Sequence, residues 1–442
     1  REKDIIIPEQ YKSLAEHIDF LDTIPQSIQK SEEWFAQRRE KITASSAAKA
    51  LGELPKKYSN SDPEYLILEK LDIGPPFPEN DFVHHGKKYE EIATKIYENI
   101  YDVQVKEYGL MPHPEISYLG ASPDGIITKF SLDNSFTEMI GTMLEIKCPF
   151  RRKIKTIGND ICPSYYHTQV LQQLECCDLE KCDFWQCELK EYKTRRDWLL
   201  DKNANTQNTE QQNLKKEMPV NCQKGCIIQL TPKKDILNYS KYKSAYIYPL
   251  DINMTTEEYD DWVINILANY KNINEDDFEE YNIKITDEKD IKDYVYDEVK
   301  YWKLVKSHNL TINRDRKWFE EKKPIYKAFW DRVIYYRNNM KEALLLKKQL
   351  EEKSNKKIYK KRKPKISEIT STDLFLSSDE ESNDNEIDNK DLFVESSQDD
   401  SSEDDSSEDD SSEEDSSMEI SNKFDDNESD ECNLISNDTC TS

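Results

Sequence analysis

Two acidic residues and a lysine stand at spacings that suit the hydrolysis of a phosphodiester. Asp124 lies in the turn sequence Ser-Pro-Asp-Gly at 122–125, and Glu145 and Lys147 are two residues apart in a short apolar segment. Residues two apart on a β-strand point to the same face, so Glu145 and Lys147 project together if this segment is a strand. A hairpin return would bring Asp124 beside Glu145. Two adjacent carboxylates favour Mg²⁺ or Mn²⁺, and a nearby lysine can steer an attacking water and offset phosphate charge.

Each of these residues also has a plainer explanation. Asp-Gly pairs are common in ordinary turns, and a lysine on an edge strand keeps that strand from pairing wrongly. Only the combination of Asp124 with Glu145 and Lys147 favours the chemical interpretation.

The elements around these residues predict a compact α/β core. A helix is expected over 82–101, because Ile92, Ile96 and Ile100 recur along one stripe. Strands are expected over 103–110, 118–127 and 142–147, followed by a helix over 164–177 and a strand over 183–189. A short Ala-rich helix should follow Ser45 and Ser46, either of which could be its N-cap.

Composition divides the chain into five parts. A polar lead-in at 1–33 precedes the α/β core at 34–205. Residues 206–355 are rich in Tyr, Trp, Lys and Glu, with helical periodicity near 256–271 and 325–352, and we expect a mostly helical extension. A basic cluster follows at 356–365. Its composition is compatible with a nuclear localisation signal, a DNA-contacting segment or a solvated linker. Residues 366–442 are low in complexity, and we expect them to be disordered because they offer little apolar surface to bury.

The net charge of −27 is concentrated in this last part of the chain. Residues 377–442 contain 26 acidic residues against two lysines, so the other 376 residues carry a net charge of only −3. Local basic groups, such as those at 151–155, can therefore still bind phosphates. The chain has no apolar run of about 18 residues that could span a membrane. Its first residues do not predict a signal peptide, so we expect an intracellular protein that is not secreted.

Several ordered blocks of sequence resemble one known family. The core is similar to the YqaJ-type viral recombinase exonucleases, relatives of phage lambda exonuclease within the PD-(D/E)XK nuclease superfamily. The blocks are Trp-Phe-Ala-Gln-Arg-Arg at 34–39 with Ile-Thr-Ala-Ser at 42–45, Gly-Lys-Lys-Tyr-Glu at 86–90, Ser-Pro-Asp-Gly at 122–125, Leu-Glu-Ile-Lys at 144–147, and the glutamine-rich run at 166–174. The resemblance implies a restriction-endonuclease-like fold: a mixed central sheet flanked by helices, here with helical additions and an acidic tail.

The resemblance also implies the metal and its ligands. We expect Mg²⁺, or Mn²⁺, on Asp124 and Glu145, with the backbone carbonyl of Ile146 completing the inner shell. Lys147 would orient or activate the attacking water and stabilise the developing charge. Glu90 would support the site, although the helical stripe alone does not decide whether Glu90 or Glu91 points inward.

The substrate-binding residues come from the same comparison. Arg38 and Ser45 match family positions that grip a 5′ phosphate; their plainer reading is a surface charge and an N-cap. Gln169 and Gln173 are one helical turn apart and therefore share a face, which the resemblance directs into the site. Leu171 stands where many relatives have another glutamine, which leaves the pairing of these glutamines open.

The resemblance implies a metal-dependent DNA exonuclease that digests linear duplex DNA from its 5′ end and serves viral recombination or repair by end resection. Duplex DNA ends are the expected substrate, and a single-strand annealing protein is a candidate partner. The host-cell cytoplasm (a viral factory) and the nucleus are the expected locations, with packaging in the virion as an alternative. An endonuclease or RNase on the same core, and a nucleic-acid-binding or virion protein with an inactive core, stay open.

The acidic tail generates a first prediction. Removal of residues 377–442 should leave turnover of short duplexes intact and raise affinity for DNA, most of all at low salt, because exposed like charges are least screened there. Nuclease assays and DNA titrations at two salt concentrations would measure both effects. A truncated protein that stays folded yet loses nuclease activity would contradict this view, since the tail would then help to build the site.

Overall fold

The computed structural model describes residues 5–27, 31–56, 60–75, 79–158, 161–201, 224–237, 240–273, 277–278, 280–284 and 291–362. Its helices are α1 Lys12–Thr23, α2 Glu32–Arg39, α3 Ala47–Ala50, α4 Pro63–Lys70, α5 Asp81–Tyr101, α6 Ser164–Cys177, α7 Arg195–Leu200, α8 Thr256–Asn269, α9 Arg316–Asn338 and α10 Met340–Arg362. Its strands are β1 Ile42–Thr43, β2 Val105–Lys106, β3 Met111–Pro112, β4 Leu119–Ala121, β5 Gly125–Ile127, β6 Met143–Lys147, β7 Lys181–Glu191, β8 Lys224–Pro232, β9 Ala245–Ile247, β10 Ile283–Lys284 and β11 Tyr294–Asn313.

The strands form two sheets, and the larger one carries the candidate site. Its eight strands run in the order β10-β9-β8-β11-β7-β6-β5-β2, and the smaller sheet has the order β1-β4-β3. In the larger sheet β6 and β7 are parallel, whereas the other neighbouring pairs are antiparallel. The predicted α/β class with a mixed central sheet and flanking helices is therefore confirmed.

Helices α5 and α6 cover opposite faces of the strands at the centre of this sheet. Met143 on β6 and Phe184 on β7 pack in one apolar cluster with residues of α6. Leu144 and Ile146, at the alternate positions of β6, pack in a second cluster with residues of α5. Because side chains alternate along a strand, Glu145 and Lys147 are left on the α6 face.

Both helical stretches expected in the extension over 206–355 are present, as α8 and as α9 with α10, but the prediction missed the strands of this region. Four strands, β8 to β11, lie in this part of the chain and make up half of the larger sheet. The longest, β11, pairs with β7 on one side and β8 on the other. Its three partly buried lysines, Lys300, Lys303 and Lys306, interrupt the alternation of apolar side chains that would indicate a strand. The boundary predicted at residue 205 therefore falls inside one sheet.

Other predicted elements are adjusted in smaller ways. The helix predicted over 164–177 is confirmed with those bounds as α6. The strand predicted over 118–127 is broken into β4 and β5 by the turn that contains Asp124. The lead-in at 1–33 contributes α1, whose Ala15, Ile18 and Leu21 are buried in the core.

Part of the sequence-based organisation lies outside the described residues. This applies to the acidic segment 366–442 and to the end of the basic cluster at 363–365, while the earlier residues of that cluster lie in the backbone of α10. None of the helices in the described part of the chain is long and apolar enough to span a membrane.

A partly buried ion pair attaches α5 to the sheet. Lys88 on α5 pairs with Glu191 at the end of β7, with side-chain exposures of 8% and 30%. The Tyr89 hydroxyl donates to the same carboxylate at 3.0 Å. Burial would raise the pKa of Glu191, but the charge and hydrogen bond of Lys88 outweigh it and lower that pKa overall. The ammonium of Lys88, whose own pKa burial lowers, needs this carboxylate in order to stay charged.

Loss of this carboxylate should destabilise the protein. Removal of this carboxylate leaves the buried ammonium of Lys88 without it, while Glu191 itself is 30% exposed, so we expect Glu191→Ala to lower the free energy of unfolding by about 1–3 kcal/mol in urea denaturation. Lys190→Ala is the control: it breaks an exposed pair with Glu188 and should cost at most about 1 kcal/mol.

The effect of Glu191 should also depend on pH. Its folded pKa lies below the ordinary value of 4.5. Its stabilisation is therefore complete above that pH and declines as the pH falls through the folded value. If Glu191→Ala and Lys190→Ala lowered the free energy of unfolding equally, the Lys88–Glu191 pair would contribute no more than an exposed pair.

Candidate active site

Glu145 and Lys147 lie side by side on β6, as their spacing predicts. The Nζ atom of Lys147 donates to Oε1 of Glu145 at 2.6 Å, and the two side chains are only 7% and 1% exposed. The same Nζ lies 4.7 Å from the centroid of the Tyr166 ring, within cation–π range. A buried acid and a buried lysine thus share one face of a strand.

Two glutamines of α6 also donate hydrogen bonds to the carboxylate of Glu145. The Nε2 atom of Gln169 donates to Oε1 at 2.7 Å, and the Nε2 atom of Gln173 donates to Oε2 at 2.6 Å. Because the two glutamines are one turn apart, a single helix face supplies a donor to each carboxylate oxygen. The structure therefore brings Gln169 and Gln173 to the site, and their contacts orient Glu145.

Asp124 reaches the same site from the turn between β4 and β5. Its Oδ2 atom accepts a hydrogen bond from the backbone N–H of Ile146 at 2.6 Å. Burial, and then the carboxylates of Glu145 and Glu90, raise the pKa of Asp124 well above its usual range. The following residue must be glycine, because a Cβ on Gly125 would lie 2.2 Å from the side chain of Val105 on β2.

The structure places Glu90, rather than Glu91, at the site. Glu90 lines a cleft with Phe82, Gly86, Ile146, Lys147, Cys148 and Tyr166. Glu91 faces another way and accepts a hydrogen bond from Asn282 at 2.9 Å. Phe82, Gly86 and Glu90 follow one another at four-residue intervals on α5, so a single face of this helix lines the cleft and Glu91 lies outside it.

The charges around Lys147 keep it in the cationic form. Burial alone would lower the pKa of this amine, but Glu145, Asp124 and Glu90 together raise it above its ordinary value. An ammonium in this position can donate hydrogen bonds and offset negative charge, and it is not a base at neutral pH.

The donor set fits a hard divalent cation. Within the described residues, no three His, Cys, Asp or Glu side chains form a ready metal cage. Mg²⁺, however, is commonly bound by one or two carboxylates together with water and substrate oxygens, and Asp124 with Glu145 meets that requirement. Ser122 Oγ and Gln173 Oε1 are buried at this site without a hydrogen-bond partner, as polar atoms beside a binding site for a polar species would be.

Arg38 and Ser45 form a second polar group. The Nη2 atom of Arg38 donates to Oγ of Ser45 at 3.2 Å, and the guanidinium lies 4.3 Å from the centroid of the Trp34 ring. Ser46, one of the two serines expected there, occupies the N-cap position of α3, but its side chain makes no capping bond. The Oγ atom of Ser46 donates instead to the Thr43 carbonyl.

Sequence reasoning missed the residue that links the two groups. Gln172, fully buried between Leu171 and Gln173, donates to the carbonyls of Ile42 on β1 and Gly120 on β4 at 2.8 and 3.0 Å. Helix α6 thus fixes the small sheet beside the Arg38–Ser45 group while its glutamines hold Glu145. The three glutamines at 169, 172 and 173, in a helix that is otherwise mostly apolar, were the available signal.

The basic residues after β6 lie near the cleft as well. The guanidinium of Arg151 lies 5.6 Å from the centroid of the Phe82 ring and 5.3 Å from that of Phe150. Arg152 donates to Gln186 Oε1 at 2.9 Å. Positive charge is therefore present next to the acids of the site.

Comparison with known proteins supports the resemblance read from the sequence. Residues 33–180 match the family model described as a YqaJ-like viral recombinase domain. An uncharacterized protein, R354, of Acanthamoeba polyphaga mimivirus is 37% identical over 344 residues, which cover 76% of this chain and 58% of that protein. The chain thus spans less than two thirds of the length of this curated relative.

Solved structures of an alkaline exonuclease (LHK-Exo) from Laribacter hongkongensis, one of them in complex with dAMP, also align with the chain. Each is 19% identical, covers 71% of this chain and 98% of the exonuclease, and has a TM-score of 0.36. The matched family segment contains Glu90, Asp124, Glu145 and Lys147. It also contains Arg38 and Ser45. Residues 33–180 of the chain are therefore similar to YqaJ-like viral recombinase domains.

Proposed function

We propose that this protein is a metal-dependent deoxyribonuclease that digests linear duplex DNA from its 5′ end. The observation that carries the proposal is the convergence of Asp124, Glu145 and Lys147 on one buried site. Two acids and a lysine in this arrangement supply what hydrolysis of a phosphodiester requires: a cation site, a donor for the attacking water and compensation of phosphate charge.

Mg²⁺ or Mn²⁺ would be held by the carboxylates of Asp124 and Glu145 and by the backbone carbonyl of Ile146. Such an ion, when bound, polarises the scissile phosphate and lowers the pKa of a coordinated water. Glu90 also lines the cleft. Its carboxylate adds negative charge there and so favours the binding of a cation.

The protein's own groups do the positioning. Gln169, Gln173 and Lys147 fix both oxygens of Glu145, so the carboxylate does not have to reorganise during the reaction. Lys147 donates to the attacking water or to a phosphate oxygen and stabilises the negative charge that develops there.

Arg38 and Ser45 would bind the terminal 5′ phosphate. A guanidinium offers two parallel donors that match phosphate oxygens, and the Ser45 hydroxyl already accepts a bond from it. Helix α6 couples this group to the acids. Anchoring the 5′ end at a fixed place would give the enzyme its direction along the strand.

A role in viral recombination or repair by end resection fits the recombinase family and the mimivirus relative. The product of such digestion is a 3′ single-stranded end. A protein that anneals single strands is therefore the partner that we propose, in the cytoplasm or nucleus of the infected cell. Digestion of linear but not circular DNA, with RNA left intact, would separate this proposal from an endonuclease or an RNase.

Glu145→Ala should reduce cleavage of linear duplex DNA at least roughly 100-fold, the loss typical when one preorganised charged group is removed from an active site. EDTA should abolish wild-type cleavage, and added Mg²⁺ or Mn²⁺ should restore it. Binding of DNA should change little, because the phosphate contacts remain.

The matched control for this experiment is Glu91→Ala. This substitution removes an acid next to Glu90 that bonds to Asn282 outside the cleft, and it should leave cleavage near the wild-type rate. Cleavage by Glu145→Ala at the wild-type rate would refute the proposed mechanism.

Arg38→Ala should impair digestion of 5′-phosphorylated duplexes more than digestion of 5′-hydroxyl duplexes. The loss of a charge-assisted hydrogen bond should cost roughly tenfold on the phosphorylated substrate. Paired kinetics on the two substrates would measure the difference. Equal losses on both would mean that Arg38 makes only a general backbone or structural contact.

A further inference from the structure

The helix that carries Arg38 has no buried residue of its own. In α2, Trp34, Gln37, Arg38 and Arg39 are partly buried and the other side chains are exposed, with Phe35 at 47%. An eight-residue helix is not stable alone in water, and α2 lacks a packed apolar face to fix it against the core. Other contacts must therefore set the direction of Arg38.

Two cations from other helices contact the C-terminus of α2. Lys70 Nζ donates to the carbonyl of Arg38 at 3.0 Å, and Arg337 Nη2 donates to the carbonyl of Arg39 at 2.7 Å. The last carbonyls of a helix have no partner within it and carry a partial negative charge. Two consecutive carbonyls of this kind are thus each capped by a positive side chain.

Both cations are themselves held firmly. The Lys70 side chain is only 2% exposed, with the Glu69 carboxylate 3.6 Å away. Arg337 also pairs with Glu40 at 2.6 Å and donates to the Lys70 carbonyl at 3.3 Å. A buried lysine is rare unless its charge is compensated, so the position of Lys70 is specific.

The two residues come from different parts of the sequence. Lys70 ends α4, within the matched family segment, whereas Arg337 lies in the last turn of α9, more than 150 residues beyond that segment. The C-terminal helix α9 therefore contacts the end of α2 through the guanidinium of Arg337 and also packs against the segment around Ser45.

We propose that Lys70 and Arg337 are positioning residues that hold the C-terminus of α2, and with it Arg38, in the geometry that recognises a terminal 5′ phosphate. This inference rests on the proposed function and deepens it, because it assigns the preference for phosphorylated ends to residues that do not touch the substrate.

The test compares Lys70→Met, Arg337→Gln and the conservative Lys70→Arg on 5′-phosphorylated and 5′-hydroxyl duplexes. For Lys70→Met and Arg337→Gln we expect KM for the phosphorylated duplex to rise roughly tenfold, the cost of misplacing one charge-assisted contact. KM for the hydroxyl duplex should change much less, and kcat should be nearly constant. Lys70→Arg should recover most of the preference.

Arg332→Ala is the matched control. Arg332 also joins α9 to α4, through an ion pair with Glu64 at 2.7 Å, and this pair does not involve α2. It should leave the preference for phosphorylated ends unchanged. The inference is overturned if Lys70→Met and Arg337→Gln raise KM equally for both duplexes, or if they keep the wild-type preference for the phosphorylated one. It is also overturned if Arg332→Ala reduces that preference as much as they do.

Binding measurements separate this inference from the proposed function. The ratio of dissociation constants for the two duplexes, measured by fluorescence anisotropy in EDTA, needs no catalysis. A wild-type protein that cleaves no DNA refutes the proposed function, while the binding ratio of the variants still decides the inference. If Lys70→Met does not fold, Arg337→Gln carries the test.

Discussion

The carboxylate of Glu145 is almost completely buried beside the central sheet, and the surrounding structure has to compensate its charge. An uncompensated buried charge costs several kcal/mol or shifts to its neutral form. Here Lys147, Gln169 and Gln173 donate to its two oxygens. Such compensation requires β6 and α6 to stay in a fixed register, because a shift of one residue on either element would remove these donors.

The sheet supplies that register from distant parts of the chain. Strand β6 lies between β5, which follows Asp124, and β7, which pairs in turn with the long strand β11. On the opposite face, Lys88 and Glu191 attach α5 and place Glu90 at the cleft. Residues well beyond the matched family segment therefore help to hold Asp124 and Glu145 in position.

The arrangement of the candidate site follows from short-range rules, and much of it could be predicted from the sequence. The two-residue period of a strand brings Glu145 and Lys147 together, and the four-residue spacing in a helix does the same for Gln169 and Gln173. The choice of Glu90 over Glu91 depends on which face of α5 packs on the sheet, and the role of Gln172 depends on β1 and β4. The strand β11 escaped prediction because its partly buried lysines interrupt the apolar alternation. Such long-range contacts have no local signal.

The central claim is that Asp124, Glu145 and the Ile146 carbonyl together bind a catalytic divalent cation. Anomalous diffraction from crystals soaked in Mn²⁺ tests it most directly, since manganese is located independently of any activity. The account predicts a manganese peak bounded by the two carboxylates and the Ile146 carbonyl oxygen, and its absence from crystals of Glu145→Ala. Manganese bound only elsewhere, with this site empty at saturating concentration, would contradict the account.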